Sequence, residues 1–159
     1  MSREGTLRVL LDTTFILPTL GIDVGEDVLT GLKALEGMDA EIYFSRFSIL
    51  ECLWIVMSLI RKDGAELDRV HRGLKSVMRG GRYMMVEEND EVFREALNMY
   101  ALGHRDMIDN ILYSTSLAFD LKLLTVDKTL REFVREKGLT DTTVLPTELT
   151  ERKGPHRPR

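Results

Sequence analysis

Five short apolar runs, separated by stretches of helical periodicity, constrain the fold of this chain more than any other feature. The runs predict β-strands at residues 7–11, 41–44, 83–86, 121–126 and 142–145. The intervening stretches predict helices at residues 27–35, 48–61, 67–78, 90–102, 106–119 and 129–137. Strands that alternate with helices form βαβ units, in which helices cover both faces of a parallel sheet. The pattern therefore predicts an α/β fold with three α/β/α layers.

The domain organisation follows from length and composition. With 159 residues, of which 43% are hydrophobic and 30% charged, the chain can bury the core of one ordinary domain. We expect a single domain over residues 1–146. Residues 147–159 are polar and contain Pro155 and Pro158, which predicts a flexible basic C-terminal tail.

Cysteine usage and hydropathy predict where the protein resides. The single cysteine, Cys52, lies inside an apolar run and is interpreted as a core residue. The longest apolar stretch, residues 49–60, is too short to cross a bilayer and contains Glu51. We therefore expect a cytoplasmic protein without a membrane anchor or a leader sequence. The apolar stretch predicts a helix that is either buried in the core or presented to a partner.

The formal net charge of −4 argues against a protein that coats nucleic acid through its bulk charge. It leaves open an enzyme with a local basic face. Residues 69–82 contain the arginines and lysine for such a face, and the C-terminal tail contains others. A solvated helix surface explains the same residues equally well.

Acidic side chains follow two of the predicted strands. Asp12 comes directly after the first strand, and Asp127 ends the fourth. Ligands of open parallel sheets bind beyond the carboxyl ends of the strands, so these two side chains are expected to lie close together. Aspartate is also common at strand ends because it favours turns and helix starts.

Three further acids lie at predicted helix starts. Asp106 and Asp109 open one helix on the same face, and Glu51 follows Ser48 in an S-x-x-E pattern. Helix capping explains all three positions. Glu51, however, precedes a nearly unbroken apolar run, where a carboxylate is costly unless it is paired or binds a metal.

A convergence of Asp12, Glu51, Asp109 and Asp127 would be stabilised by a hard divalent cation. Mg²⁺ and Mn²⁺ prefer oxygen ligands, retain water and bind phosphate oxygens. Such a site can activate water for displacement at phosphorus. Hydroxyls from Thr13, Thr14 and Thr125 are near enough in sequence to hold a carboxylate, a water or a phosphate.

Three segments resemble the PIN domain family, which includes VapC-type toxins and several ribosomal-RNA-processing nucleases. Residues 9–17 resemble the family's opening strand, whose Asp is followed by hydroxyl residues. Residues 45–51 resemble a second segment that ends on Glu, and residues 109–127 resemble an Asp-led helix followed by a strand and T-x-D. The resemblance covers roughly residues 7–146.

This resemblance implies a sheet in the order 3-2-1-4-5 and a Mg²⁺- or Mn²⁺-dependent endoribonuclease. It maps Asp12 and Asp109 to the main metal ligands, Asp127 to a supporting ligand and Glu51 to the fourth acidic position. It further implies an RNA substrate, an antitoxin partner for a toxin of this kind, and a homodimer.

Other functions remain open at this stage. A PIN-like RNA- or protein-binding module with little nuclease activity fits the same motifs, as does a ribosomal-RNA-processing factor. A nuclease on structured DNA is less favoured, because the chain has little room for DNA-clamping elements. A nucleotide-binding domain would need a glycine-rich loop after the first strand, and none follows Asp12. A phosphate-accepting receiver domain would need a lysine after the last strand, where residues 145–147 have none.

Overall fold

Five parallel strands form one sheet in the computed structural model, which describes residues 5–152. Along the chain the strands are β1 (Leu7–Leu11), β2 (Ala40–Phe44), β3 (Tyr83–Met85), β4 (Lys122–Leu124) and β5 (Thr143–Val144). Their order across the sheet is β3-β2-β1-β4-β5. Every neighbouring pair is parallel. The predicted topology is confirmed.

Helices cover both faces of the sheet. They are α1 (Glu26–Glu36), α2 (Arg46–Ile60), α3 (Leu67–Arg79), α4 (Asp90–Leu102), α5 (Met107–Ala118), α6 (Lys128–Glu136) and α7 (Pro146–Arg152). Two short 3₁₀ segments, Thr13–Phe15 and Leu17–Leu20, follow β1. No helix within residues 5–152 is long and apolar enough to cross a membrane.

Alternation along β1 divides the core into two sides. Val9 and Leu11 pack into a cluster with residues of α1, α2, α3 and α7, whereas Leu10 packs with residues of α4, α5 and α6. Successive side chains of a strand point to opposite faces, so the part of a central strand that helices cover on both sides is apolar, here residues 9–11. This explains the run of buried residues that led to the strand prediction.

Helix α2 begins earlier than the sequence pattern suggested. The predicted start at Ser48, with Glu51 completing a capping box, is wrong. The N-cap is Ser45, whose hydroxyl oxygen accepts a hydrogen bond from the backbone N–H of Phe47 at 3.1 Å. Because β2 ends at Phe44, the cap follows the strand directly. Glu51 therefore lies inside α2 and has no capping role.

The prediction of a loose tail from residue 147 is wrong for residues 147–152, which belong to α7. Leu149 is fully buried in the core cluster that contains α1 residues. Gly31 of α1 permits this approach, because a Cβ there would lie 2.9 Å from the Phe15 ring and 3.2 Å from Pro146. An ion pair between Arg131 and Glu148 at 2.5 Å also holds the helix. Residues 153–159 lie outside the described part of the chain.

Candidate functional site

The carboxyl edge of the sheet gathers the acidic residues that the sequence singled out. Asp12 is the first residue after β1, and the neighbouring strand β4 leads through Thr125 to Asp127. Asp109 lies in the first turn of α5, and Glu51 lies in the second turn of α2. The site is thus assembled from two strand ends and two helices that are distant in sequence.

Electrostatics shows that these acids share one neighbourhood. Burial raises the pKa of Asp109 to about 8, with further contributions from the negative charges of Asp12, Asp106, Asp127 and Glu51. Solvent screens distant pairs of charges, so these acids lie at the same end of the sheet. Asp106 belongs to the same acidic neighbourhood as the four predicted acids.

Asp12 is the most firmly held member of the cluster. One of its carboxylate oxygens accepts a hydrogen bond from the Thr13 N–H at 2.6 Å, and the other accepts one from the Thr125 hydroxyl at 2.8 Å. Burial raises the pKa of Asp12 to about 6, although these two hydrogen bonds lower it; Asp127 and Asp106 raise it further. The side chain is therefore oriented while its charge remains uncompensated.

Thr125 connects two of the acids. Its hydroxyl donates to Asp12 and accepts a hydrogen bond from the backbone N–H of Asp127 at 2.9 Å. The predicted role of Thr125 as a hydroxyl that holds a carboxylate is confirmed. Asp127 in turn caps α6, because its Oδ1 accepts from the N–H groups of Thr129 and Leu130 at 2.8 and 3.3 Å.

The sequence left two roles open for Asp106 and Asp109, helix capping and membership of the carboxylate cluster. In the structure, Asp106 is the residue that caps the helix. Asp106 is the N-cap of α5, and its Oδ1 accepts from the Asp109 N–H at 3.1 Å. Asp109 follows three residues later, with a partly buried side chain. Capping therefore accounts for Asp106, whereas it does not account for the burial of the Asp109 carboxyl among like charges.

Glu51 approaches the cluster from α2. Burial raises the pKa of its carboxyl, with smaller contributions from the charges of Asp106 and Asp12. The next residue, Cys52, is buried, and burial raises the pKa of its thiol to about 12. Cys52 is thus a neutral core residue, as its sequence context suggested, and offers no thiolate to a metal.

Among residues 5–152, three buried hydroxyls beside the acids form no hydrogen bond of normal geometry, those of Thr13, Thr14 and Ser48, although the Thr13 hydroxyl is near enough to Glu51 to lower the pKa of its carboxyl. Thr13 and Thr14 follow Asp12 directly, and Ser48 precedes Glu51 by one turn of α2. The two segments are packed together, with the Cys52 sulfur 3.9 Å from the Thr13 carbonyl oxygen. A buried hydroxyl without a partner is costly, which suggests that these groups serve a ligand or water. The sequence pattern indicates Thr13 and Thr14 but not Ser48, which fits the first position of a capping box.

The donor set fits a hard cation. It consists of carboxylate and hydroxyl oxygens, the ligands that Mg²⁺ and Mn²⁺ prefer. Within residues 5–152, no three carboxylate, imidazole or thiol groups are positioned to hold a metal ion on their own. Mg²⁺ retains several waters in proteins, so a pair of these carboxylates would hold it together with water or phosphate oxygens.

Comparison with known families gives one match to a family model. The PIN domain model matches residues 9–136, which include all four predicted site residues. No curated protein sequence matches the chain.

Three solved structures have a fold similar to that of this chain. FitAcB from Neisseria gonorrhoeae has a TM-score of 0.57 at 17% identity, over 87% of this chain and 98% of that one. VapBC2 from Rickettsia felis, bound to a DNA fragment from its promoter, has a TM-score of 0.57 at 13% identity, over 86% and 98%. A toxin–antitoxin complex from Klebsiella pneumoniae has a TM-score of 0.55 at 13% identity, over 87% and 97%. At these identities the likeness establishes the fold alone.

Proposed function

Because the chain belongs to the PIN domain family, whose members are generally nucleases, we propose that it is a metal-dependent endoribonuclease. The observation that carries this proposal is the convergence of Asp12, Glu51, Asp109 and Asp127 at the carboxyl edge of the sheet. Acids that raise one another's pKa destabilise the fold, so their proximity is best explained by a bound cation.

In this proposal Asp12 and Asp109 hold Mg²⁺ or Mn²⁺, and Asp127 supports them. A bound divalent ion lowers the pKa of water and offsets negative charge at phosphorus. Thr125 and the Thr13 N–H keep the Asp12 carboxylate oriented. Glu51 positions the attacking water by accepting a hydrogen bond from it. The unpartnered hydroxyls of Thr13, Thr14 and Ser48 donate to water or to phosphate oxygens.

The proposal is tested by replacing single carboxylates. Asp12→Asn and Asp109→Asn keep the side-chain shape but remove a ligand charge, and we expect each to lower RNA cleavage in Mn²⁺ by at least about a hundredfold. Asp39→Asn, at an exposed position just before β2 and away from the carboxyl edge of the sheet, is the matched control and should cleave at the parental rate. Cleavage by purified Asp12→Asn at the parental rate would refute the assignment. RNA binding without cleavage by the parent would instead favour the binding-module alternative.

We also propose that the protein acts as a toxin held by an antitoxin. The inner side of α2 is buried, but its outer side exposes Leu50, Leu53, Trp54 and Met57. The sequence left two alternatives open for α2, burial in the core and presentation to a partner, and the apolar solvent-facing half of the helix supports the second. On α4, Phe93, Leu97 and Tyr100 are exposed as well. Exposed apolar side chains at helical spacing suit a partner helix.

Two partners fit this surface, an antitoxin and a second copy of the chain. Trp54→Glu with Met57→Glu should abolish inhibition by an antitoxin encoded beside the gene, while RNA cleavage by the free variant persists. Sedimentation of the parent and the variant reveals whether the same surface also forms a homodimer. Inhibition that survives both substitutions would place the antitoxin elsewhere.

A further inference from the structure

The solvent-facing side of α3 carries a basic stripe formed by Arg72, Lys75 and Arg79. All three side chains are exposed, whereas Val70 and Val77 on the opposite side are buried in the core. Within residues 5–152 none of the three cations forms an ion pair. Asp68, one turn before Arg72, is the acidic neighbour on this face, so the stripe presents a net positive charge on a protein whose net charge is −4.

Helix stabilisation accounts for only part of this stripe. Cations near the last turn interact favourably with the helix dipole, an effect that falls off within that turn. It explains Arg79, the last residue of α3, but not Arg72, which lies about two turns earlier. The i, i+3 and i+7 spacing instead aligns the three side chains along one line on the helix surface.

A cavity of about 340 Å³ opens on the stripe. Its lining residues are Arg72, Lys75, Ser76, Arg79 and Gly80, a set with no acidic member. Arginine and lysine cations bind phosphate groups. The cavity is open to solvent and its exposed lining is mainly aliphatic, so the anion-binding groups of the stripe are the three cations and not the cavity itself.

Helix α3 is fixed against the segment that follows Asp12. The Arg69 guanidinium donates to the Thr19 carbonyl oxygen at 2.8 Å. Gly73 faces the same carbonyl oxygen, which a Cβ at this position would approach to 2.3 Å. These contacts fix the N-terminal half of α3 against the segment that leads out of the carboxylate cluster, and the stripe extends from there towards the C-terminal end of the helix.

The carboxylate cluster itself opposes the binding of a polyanion. Asp12, Glu51, Asp109 and Asp127 bring four acidic side chains to one edge of the sheet, so an approaching phosphodiester chain meets negative charge there. A bound cation offsets this charge only locally. Affinity for the remainder of an RNA chain must come from cations outside the cluster, because phosphate contacts supply most of the binding energy.

From these observations we propose that the basic stripe on α3 binds the phosphate backbone of single-stranded RNA away from the point of cleavage. This inference rests on the proposed RNA substrate. Arg72 to Arg79 span about 10 Å along the helix axis, roughly the length of three stacked nucleotides. The stripe contacts phosphates and not base edges, so it contributes affinity without sequence preference.

The test measures binding of a fluorescein-labelled 15-nucleotide single-stranded RNA in EDTA, where cleavage cannot interfere. Arg72→Glu with Lys75→Glu reverses two charges of the stripe. Lys33→Glu with Lys137→Glu makes the same change in net charge at exposed positions on α1 and at the end of α6. We expect the stripe variant to bind about tenfold more weakly or worse, and the control to bind like the parent.

Salt dependence provides a second readout. The slope of log affinity against log salt should fall by about 0.7 for each phosphate that the stripe variant no longer neutralises, and stay unchanged in the control. Equal weakening by both variants would overturn the proposal in favour of bulk charge. Unchanged binding by the stripe variant would overturn it directly. Tighter binding of duplex DNA or of poly-glutamate than of RNA, abolished on charge reversal, would assign the stripe to another partner.

Chemical acetylation of lysines in the parent protein tests the site without any substitution. Single-stranded RNA should protect Lys75 from an acetylating reagent and leave Lys33 reactive, and equal reactivity of Lys75 with and without RNA would overturn the proposal. Cleavage in Mn²⁺ is scored separately. A protein that binds RNA through the stripe but does not cleave it refutes the proposed nuclease and retains the binding site. A protein that cleaves RNA but whose RNA affinity is unchanged by stripe reversal supports the proposed nuclease and overturns the proposed binding site.

Discussion

At the scale of single residues, the Asp109 carboxyl is held in a protonated form until the pH nears 8. Its ordinary pKa is 3.8, and burial among like charges raises it to about 8. The folded chain thus binds a proton here that the unfolded chain releases. The stability that this proton contributes is complete below about pH 4 and is lost as the pH rises through 8. Burial shifts the Asp12 pKa in the same direction, to about 6.

Asp109→Asn should therefore stabilise the metal-free protein at alkaline pH. The amide keeps the shape of the side chain and cannot ionise, so the repulsion with Asp12 disappears. At pH 8.5 we expect a gain of at least about 1 kcal/mol in the free energy of unfolding, or roughly 2–4 °C in Tm. The difference between variant and parent should shrink towards pH 4. Thermal melts in EDTA measure it, and a constant difference across this range would contradict the pKa shift.

Individual site residues differ in how far sequence could predict them. Asp12 and Asp127 were expected to converge because neighbouring parallel strands end at one edge of the sheet, and Thr125 links them as a short-range hydroxyl should. Ser48 was missed because S-x-x-E matches a capping box, although Ser45 occupies the cap. Ser45 and Ser48 both fit the N-cap position by sequence, and Ser45 occupies it because β2 ends at Phe44, directly before it. The catalytic roles themselves stay predictions.

At the scale of elements, α7 is a helix that hydrophobic periodicity in the sequence does not predict. The helix is only seven residues long and buries just Pro146 and Leu149, too few apolar positions to define a period. Its position depends on partners elsewhere in the chain, namely Gly31 of α1 and the Arg131 guanidinium. Such a helix forms through tertiary packing and not through its own propensity, which a local pattern cannot reveal.

Leu149→Ala should consequently destabilise the fold, although Leu149 lies in the last helix of the described residues. The side chain is fully buried against the core beneath α1. Removing it should lower the free energy of unfolding by about 2–5 kcal/mol, through reduced burial and the cavity left behind. Leu67→Ala, at a leucine that is 62% exposed, is the control and should change it by no more than about 0.5 kcal/mol. Urea denaturation compares the two, and similar midpoints would mean that α7 does not pack stably.

At the scale of the whole molecule, the topology explains why distant segments form one site. The chain pattern predicts a parallel sheet, but it does not specify the strand order, which came from the family resemblance. Placing β1 between β2 and β4 brings Asp12 beside Thr125 and directs α2 and α5 towards the same edge. Strand order depends on long-range packing, so local sequence signals constrain it only weakly. The same arrangement concentrates negative charge at one edge and leaves the α3 stripe with a net positive charge.

This concentration of charge links folding to metal binding across the molecule. An ion that binds the folded chain alone stabilises it by about 2.7 kcal/mol when present at a hundredfold excess over its Kd. Mn²⁺ should therefore raise the Tm of the parent. The increase should be larger at pH 8 than at pH 5, because the ion must displace the proton held by Asp109. Asp12→Asn should lose the increase. Differential scanning calorimetry at both pH values measures it, and an equal Mn²⁺ effect on parent and variant would separate the metal from the carboxylate cluster.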